Sequence, residues 1–124
     1  MPDVTNILIV GAGSCLGGMA RYVVSTLIQT RSGSLFPWGT LAVNVAGCFL
    51  MGIIVGLIGK GVSISDGLRL FLTVGFCGGF TTFSTFMHEN TLLLDGGNFA
   101  LTLIYAAVSL VLGLGVLYAA LRLV

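Results

Sequence analysis

The sequence contains very little charge. Only 7% of its 124 residues are Asp, Glu, Lys or Arg, whereas soluble domains carry about a quarter. So few charges cannot cover a water-facing surface, and 56% of the residues are apolar, with a mean hydropathy of +1.12. One membrane span needs about 20 apolar residues. The composition therefore predicts a multi-pass membrane protein, with room for four spans and almost no loop.

Other absences exclude further classes. There is no basic run and the net charge is +1, which argues against nucleic acid and against a polybasic lipid-binding segment. No basic residue precedes the first apolar stretch, so we expect that stretch to be a retained span and not a cleaved signal. The three cysteines, Cys15, Cys48 and Cys77, lack CxxC or CxxH spacing and are expected to be small core residues.

The apolar segments predict one four-helix transmembrane domain over residues 1–124. Pro37 suits the first turn of the second helix and Trp38 suits the membrane interface. Either Ser65 or Asp66 could cap the third helix. The predicted spans cover about residues 7–27, 39–58, 68–94 and 99–122.

The third span contains a run of poor helix formers. Two glycines followed by two threonines, from Gly78 to Thr82, disfavour a regular helix. We therefore predict that the third helix is broken near Gly78–Thr82. Irregular backbone at membrane depth is tolerated only where protein or a watery cavity satisfies its polar groups.

The charges give a weak orientation signal. With four spans, Lys60, Arg69 and Arg122 share one side of the membrane, and Arg31 lies on the other, with Arg21 buried or near it. Three cations against two is too small a bias to fix one orientation. A chain that inserts both ways can form an antiparallel, dual-topology homodimer.

Glycines four residues apart let helix backbones approach closely. Gly13 with Gly17, and Gly52 with Gly56, form such pairs. They indicate either packing within one subunit or a contact between two copies.

Uncharged polar side chains lie inside the apolar segments. Asn44 is in span two, one turn after Thr40, while Tyr105 and Ser109 share a face of span four. Any one of them could simply join two helices, but together they offer N–H and O–H donors without permanent charge. Such donors suit a pore that must bind a dehydrated anion and still release it.

An aromatic row accompanies these donors. Phe83 and Phe86 share a helix face, and Phe80 is expected to extend the row. Rows of this kind are usually core packing. However, the positive edge of a phenyl ring can also face an anion.

No catalytic arrangement competes with this interpretation, and the chain is not expected to be an enzyme. His88 and Glu89 are adjacent, so on a helix they point in different directions. We expect Glu89 near the end of span three, satisfied by a neighbour on its helix or by water.

These residues resemble the CrcB/Fluc family of fluoride channels over essentially the whole chain. The matching motifs are Gly17-x-x-x-Arg21-Tyr22, Phe36-Pro37-x-Gly39-Thr40-Leu41-x-Val43-Asn44-x-x-Gly47 and Gly75-x-x-Gly78-Gly79-x-Thr81-Thr82-Phe83-Ser84-Thr85-Phe86-x-x-Glu89. The chain departs from the family pattern at Gly18, at Met87-His88 and at Gly113, where a second serine is frequent.

The resemblance implies an antiparallel homodimer in the lipid bilayer that exports fluoride passively through two pores and so gives fluoride resistance. It further implies a structural Na⁺ at the dimer centre, held by the backbone carbonyls of Gly78 and Thr81, and no organic cofactor. The fluoride pore would be formed by Asn44, Phe83, Phe86, Thr40, Ser84, Thr85, Tyr105, Ser109 and Arg21.

Two other functions remain open on the residues alone. A small proton-coupled multidrug-type exporter has a similar size and topology, but such proteins use an acid in span one, where this chain has Arg21. A non-transporting membrane subunit would use the polar side chains only to join helices.

Overall fold

A computed structural model describes residues 3–124, and every regular element in that range is helical. Four segments are long and apolar enough to cross a membrane, namely Val4–Ser32, Trp38–Gly59, Asp66–Asp95 and Phe99–Leu123. This agrees with the multi-pass, all-helical architecture expected from composition. The elements are α1 (Val4–Ser32), α2 (Trp38–Gly59), α3 (Asp66–Leu70), a π-helix (Phe71–Cys77), α4 (Gly78–Phe80), α5 (Phe83–Asp95) and α6 (Phe99–Leu123).

Local signals set the helix ends. Asp3 caps α1 by accepting a hydrogen bond from the Asn6 N–H at 2.8 Å. Of the two possible caps of α3, Ser65 takes the role, because its hydroxyl accepts from the Leu68 N–H at 3.1 Å. Gly33, with φ of 57°, ends α1 in the left-handed conformation that glycine adopts without strain.

The paired glycines pack within one chain. A Cβ on Gly13 or Gly17 would overlap backbone carbonyl oxygens of the π-helix. A Cβ on Gly52 would overlap the backbone of α6 near Leu117, and one on Gly56 would overlap Val124. Of the two alternatives that the sequence left open, the structure therefore selects close contact between helices of the same subunit.

The third segment changes conformation between α4 and α5. Thr81 and Thr82 have extended backbone, with φ and ψ of −101° and 158° and of −150° and 121°. The Thr82 hydroxyl then caps α5 by accepting from the Thr85 N–H at 3.2 Å. These two residues redirect the chain, so the prediction that Phe80 extends the Phe83 and Phe86 row is wrong.

Phe80 instead stacks on Phe76, with ring centroids 5.7 Å apart and planes 13° from parallel. The prediction that all three cysteines are core residues is confirmed only for Cys77. Cys77 is buried in the core at 2% exposure, but Cys48 is only partly buried and Cys15 is exposed. A residue in an apolar helix can face outward when lipid or a partner surrounds that helix.

The close contact of α1 with the third segment yields a test. Gly17→Ala should lower the free energy of unfolding by about 1–3 kcal/mol, because the new methyl overlaps the Phe76 carbonyl. Gly18→Ala is the matched control, since a Cβ at that position would meet no atom within 4 Å. Thermal unfolding in detergent, followed by circular dichroism, measures the difference. Equal stability of the two variants would contradict this packing.

Candidate functional site

The Asn44 side chain pairs with the extended backbone of Thr82. Its Oδ1 accepts from the Thr82 N–H at 2.8 Å, and its Nδ2 donates to the Thr82 carbonyl at 3.2 Å. This arrangement satisfies both backbone groups of a residue that no helix satisfies. An amide nitrogen carries two hydrogens, so one N–H of Asn44 remains for another acceptor.

The pairing also changes the carbonyls around Thr82. In a continuous helix the Gly78 and Thr81 carbonyls would accept from the N–H groups of Thr82 and Thr85. Those two N–H groups are bound instead to Asn44 Oδ1 and to the Thr82 hydroxyl. Both carbonyls therefore lose their regular helical donors.

Arg21 reaches this region from α1. Its Nε donates to the Gly79 carbonyl at 2.9 Å, and the side chain is partly buried. A charged donor on a carbonyl next to the extended residues fixes α4 against α1. The structure thus gives Arg21 a direct contact with the third segment.

An open groove of about 690 Å³ lies beside the extended residues. It brings together four of the predicted site residues, Asn44, Phe83, Phe86 and Ser109. The Ser109 hydroxyl is buried and has no hydrogen-bond partner among the described residues, so it does not bond back to its own helix. The rest of the groove is lined by Cys48, Thr81, Thr82, Leu110, Gly113, Leu114 and Leu117.

Thr40 and Tyr105 lie outside the groove and converge on Glu89. The Tyr105 hydroxyl donates to Glu89 Oε1 at 2.7 Å, and the Thr40 hydroxyl donates to Oε2 at 2.8 Å. Tyr105 is fully buried and Thr40 is 5% exposed. The expectation that Glu89 finds a partner on its own helix or in water is wrong, because its partners come from α2 and α6. We call these three residues the Glu89 cluster.

Phe86 separates the groove from the Glu89 cluster. Its ring centroid lies 6.0 Å from that of Phe83 and 4.9 Å from that of Tyr105, which it meets edge to face at 74°. Phe36 also contacts Tyr105, with ring centroids 5.4 Å apart and the same angle of 74°. Phe86 is 6% exposed, whereas Phe83 is 71% exposed. Aromatic rings therefore run from the open groove to the partly buried carboxyl group of Glu89.

Comparison with known proteins assigns the family. Residues 8–121 match the family described as CrcB-like protein, Camphor Resistance (CrcB). The chain belongs to the CrcB family. A relative from Nitrobacter winogradskyi, named fluoride-specific ion channel FluC, is 44% identical over 120 residues, which cover 97% of this chain and 95% of the relative.

Two further relatives carry the same name. One from Chlorobium phaeobacteroides is 47% identical over 112 residues, covering 90% of this chain and 87% of the relative. One from Agrobacterium fabrum is 41% identical over 118 residues, covering 95% and 94%. The similarity spans all four apolar segments, and with it both the groove and the Glu89 cluster.

Two residues of the CrcB motif lie away from the groove lining. Ser84 is exposed, and its hydroxyl oxygen is 3.5 Å from that of Thr82. Thr85 is partly buried, and its N–H is used by the cap of α5. Neither is among the residues that line the groove. The family resemblance groups them with Phe83 and Phe86, but they occupy other faces of α5.

Sequence reasoning missed the role of Glu89 and the partial burial of Cys48 in the groove. An acid within an apolar segment is itself a signal of function, so Glu89 could have been selected. Gly113, where the family resemblance leads to an expected serine, lines the groove. A Cβ there would lie 3.5 Å from Cys48 Sγ, an ordinary contact, so the groove has room for that side chain.

The Glu89 cluster predicts a stability effect. Tyr105→Phe removes a buried donor and leaves a carboxyl oxygen without its partner, which should lower the free energy of unfolding by about 1–3 kcal/mol. Tyr118→Phe is the matched control, because among the described residues the Tyr118 hydroxyl bonds only to Arg122, at the exposed end of α6. We expect that control to stay within about 0.5 kcal/mol of wild type. Chemical unfolding in detergent compares them, and equal losses would contradict the cluster.

Proposed function

We propose that this protein is a passive fluoride-selective channel that exports cytoplasmic fluoride across the inner membrane. The observation that carries the proposal is the groove itself, in which amide and hydroxyl donors meet phenyl rings on an apolar helix bundle. The names of the CrcB relatives support the same function. Fluoride is small and strongly hydrated, so a pore needs several donors to replace its water.

Neutral donors fit this task. The Ser109 hydroxyl has no hydrogen-bond partner among the described residues, so it and the remaining N–H of Asn44 can both donate to an anion in the groove. The rings of Phe83 and Phe86 present positive edges to the same space. None of these groups carries a charge, so the ion is held without being trapped.

The pathway continues past Phe86 to the Glu89 cluster. Here the Thr40 and Tyr105 hydroxyls both donate to the carboxyl group of Glu89. A passing fluoride would compete with Glu89 for those donors, so the hydroxyls can turn from one acceptor to the other. Ser84, Thr85 and Arg21 complete the polar residues assigned to the pathway, with Arg21 at its aqueous entrance.

The active unit is an antiparallel, dual-topology homodimer with two pores. Phe83 is 71% exposed in the single chain, and the groove is open along Leu110 and Leu114. A second copy would cover these residues and close the groove. In that assembly the third segment crosses the bilayer as a broken helix, with the extended residues at membrane depth.

A structural Na⁺ fits the centre of this dimer. The Gly78 and Thr81 carbonyls have lost their regular helical donors to Asn44 and to the cap of α5. Carbonyl oxygens are the ligands that hard cations prefer. Two copies would supply four such oxygens, and the ion would join the two subunits where each helix is interrupted.

The proposed transport is tested by efflux from liposomes that contain only this protein. Fluoride should leave down its gradient, while chloride is retained, because donors spaced to replace the water of the small fluoride ion fit the larger chloride poorly. Glu89→Gln should still conduct passively. Absence of fluoride efflux, or equal chloride efflux, would refute the channel. Flux that requires a proton gradient and Glu89 would instead indicate the proton-coupled exporter.

The phenyl rings predict a second outcome. Phe83→Ala and Phe86→Ala should each lower fluoride efflux about tenfold, the factor that matches a loss of about 1.4 kcal/mol. The dimer should persist in gel filtration. Phe99→Ala is the control, since Phe99 is 67% exposed, much like Phe83, but lies at the start of α6. If the two variants keep full flux, or lose it only through dissociation, the rings serve packing alone.

A further inference from the structure

A single amide side chain joins α1 to the start of α2. Gln29 Oε1 accepts from the Gly39 N–H at 3.0 Å. Its Nε2 donates to the Ser34 carbonyl at 3.0 Å and to the Phe36 carbonyl at 3.2 Å. Both amide hydrogens and the oxygen are therefore used on residues 34–39, the short connection between α1 and the first turn of α2.

This connection lacks a cap of its own. Pro37 occupies the N-cap position of α2 and forms no side-chain hydrogen bond to the helix. The first N–H groups of a helix need outside acceptors, and Gln29 supplies one from a different helix. Gly39 also lies directly on α1, because a Cβ there would overlap the Ser25 carbonyl. The start of α2 is thus positioned by α1.

The residues that Gln29 holds lead to both donors of the Glu89 cluster. Thr40 immediately follows Gly39 and donates to Glu89 Oε2. The Phe36 ring packs edge to face on Tyr105, which donates to Glu89 Oε1. A shift of the connection would therefore move both hydroxyls.

We propose that Gln29 is a positioning residue for conduction, which sets Thr40 and Tyr105 toward Glu89 through Gly39 and Phe36. The proposal rests on the proposed fluoride conduction for its rate effect. It also gives a purpose to the Phe36-Pro37-x-Gly39 motif, which the pore does not otherwise use. Gln29 itself lies at the end of α1 and does not line the groove.

The first test compares fluoride efflux of Gln29→Ala with that of wild type in liposomes. We expect a decrease of about tenfold, since misplacement of a functional group by an ångström has effects of this order or larger. Ser32→Ala is the matched control. It removes hydrogen bonds to the Gln29 carbonyl and the Ser34 N–H at the end of α1 but none to Phe36 or α2. Flux of Gln29→Ala within about twofold of wild type, or an equal loss in the control, would overturn the proposal.

A double variant separates positioning from general damage. Because Gln29 acts through both Phe36 and Gly39, Gln29→Ala combined with Phe36→Ala should lose less flux than the product of the two single losses. Multiplying losses would contradict the route. Should Gln29→Ala fail to fold, Gln29→Glu keeps the acceptor for the Gly39 N–H and removes the two donated bonds. Reduced flux in that variant supports the proposal, and wild-type flux overturns it.

Fluorescence gives a readout that does not require transport. Trp38 is the only tryptophan in the sequence, and its ring lies 4.7 Å from that of Phe36. Its emission should shift in Gln29→Ala and not in Ser32→Ala. If the wild type fails to conduct fluoride, the proposed function fails, while the Trp38 shift still decides whether Gln29 positions this connection. An unchanged Trp38 spectrum would refute the positioning.

Discussion

The site depends on the pairing of Asn44 with the backbone of Thr82. An extended residue inside an apolar bundle leaves an N–H and a carbonyl without helical partners, and each unsatisfied group costs several kcal/mol in a lipid environment. A carboxamide is suited to the task because it offers an acceptor and a donor side by side. With both backbone groups satisfied, the chain can leave the helix at Thr81 and begin a new one at Phe83.

That interruption organises the surrounding groups. The new helix carries Phe83 to the open groove and Phe86 to the boundary with the Glu89 cluster. The preceding helix presents the Gly79 carbonyl to Arg21. Glycines such as Gly17 bring the backbones of α1 and the third segment close enough for the bond from Arg21 to Gly79, since a methyl group at Gly17 would push the two apart. The close contact of α1 with the third segment is therefore needed for the hydrogen bond of Arg21.

Sequence reasoning is most successful where the signal is local or carried by composition. The lack of charge leads directly to four apolar segments. The motifs contain Asn44, Phe83 and Phe86, and these line one groove with Ser109, which is selected as a polar residue of span four. The glycine pairs can be recognised but not assigned, because spacing cannot say which helix faces them. The expectation for Phe80 is wrong, since helical spacing does not apply across extended residues.

The main error of prediction concerns the partners of Glu89, because tertiary contacts determine them. Its two donors lie 49 and 16 residues away in the chain, and no local pattern relates them. Ser84 and Thr85 illustrate the opposite case, because they are adjacent to Phe83 and Phe86 in sequence but not in the groove lining. A motif identifies which residues belong to a site, whereas their division between lining, capping and support requires the fold.

Asn44 is the group that satisfies the backbone of Thr82, and amide hydrogen exchange tests this role most directly. In lipid nanodiscs the Thr82 N–H should be protected in the wild-type protein and should exchange much faster in Asn44→Ala, since its acceptor at 2.8 Å is then removed. Equal protection of the Thr82 amide in both proteins would mean that another group satisfies the backbone, and would contradict the central role of Asn44.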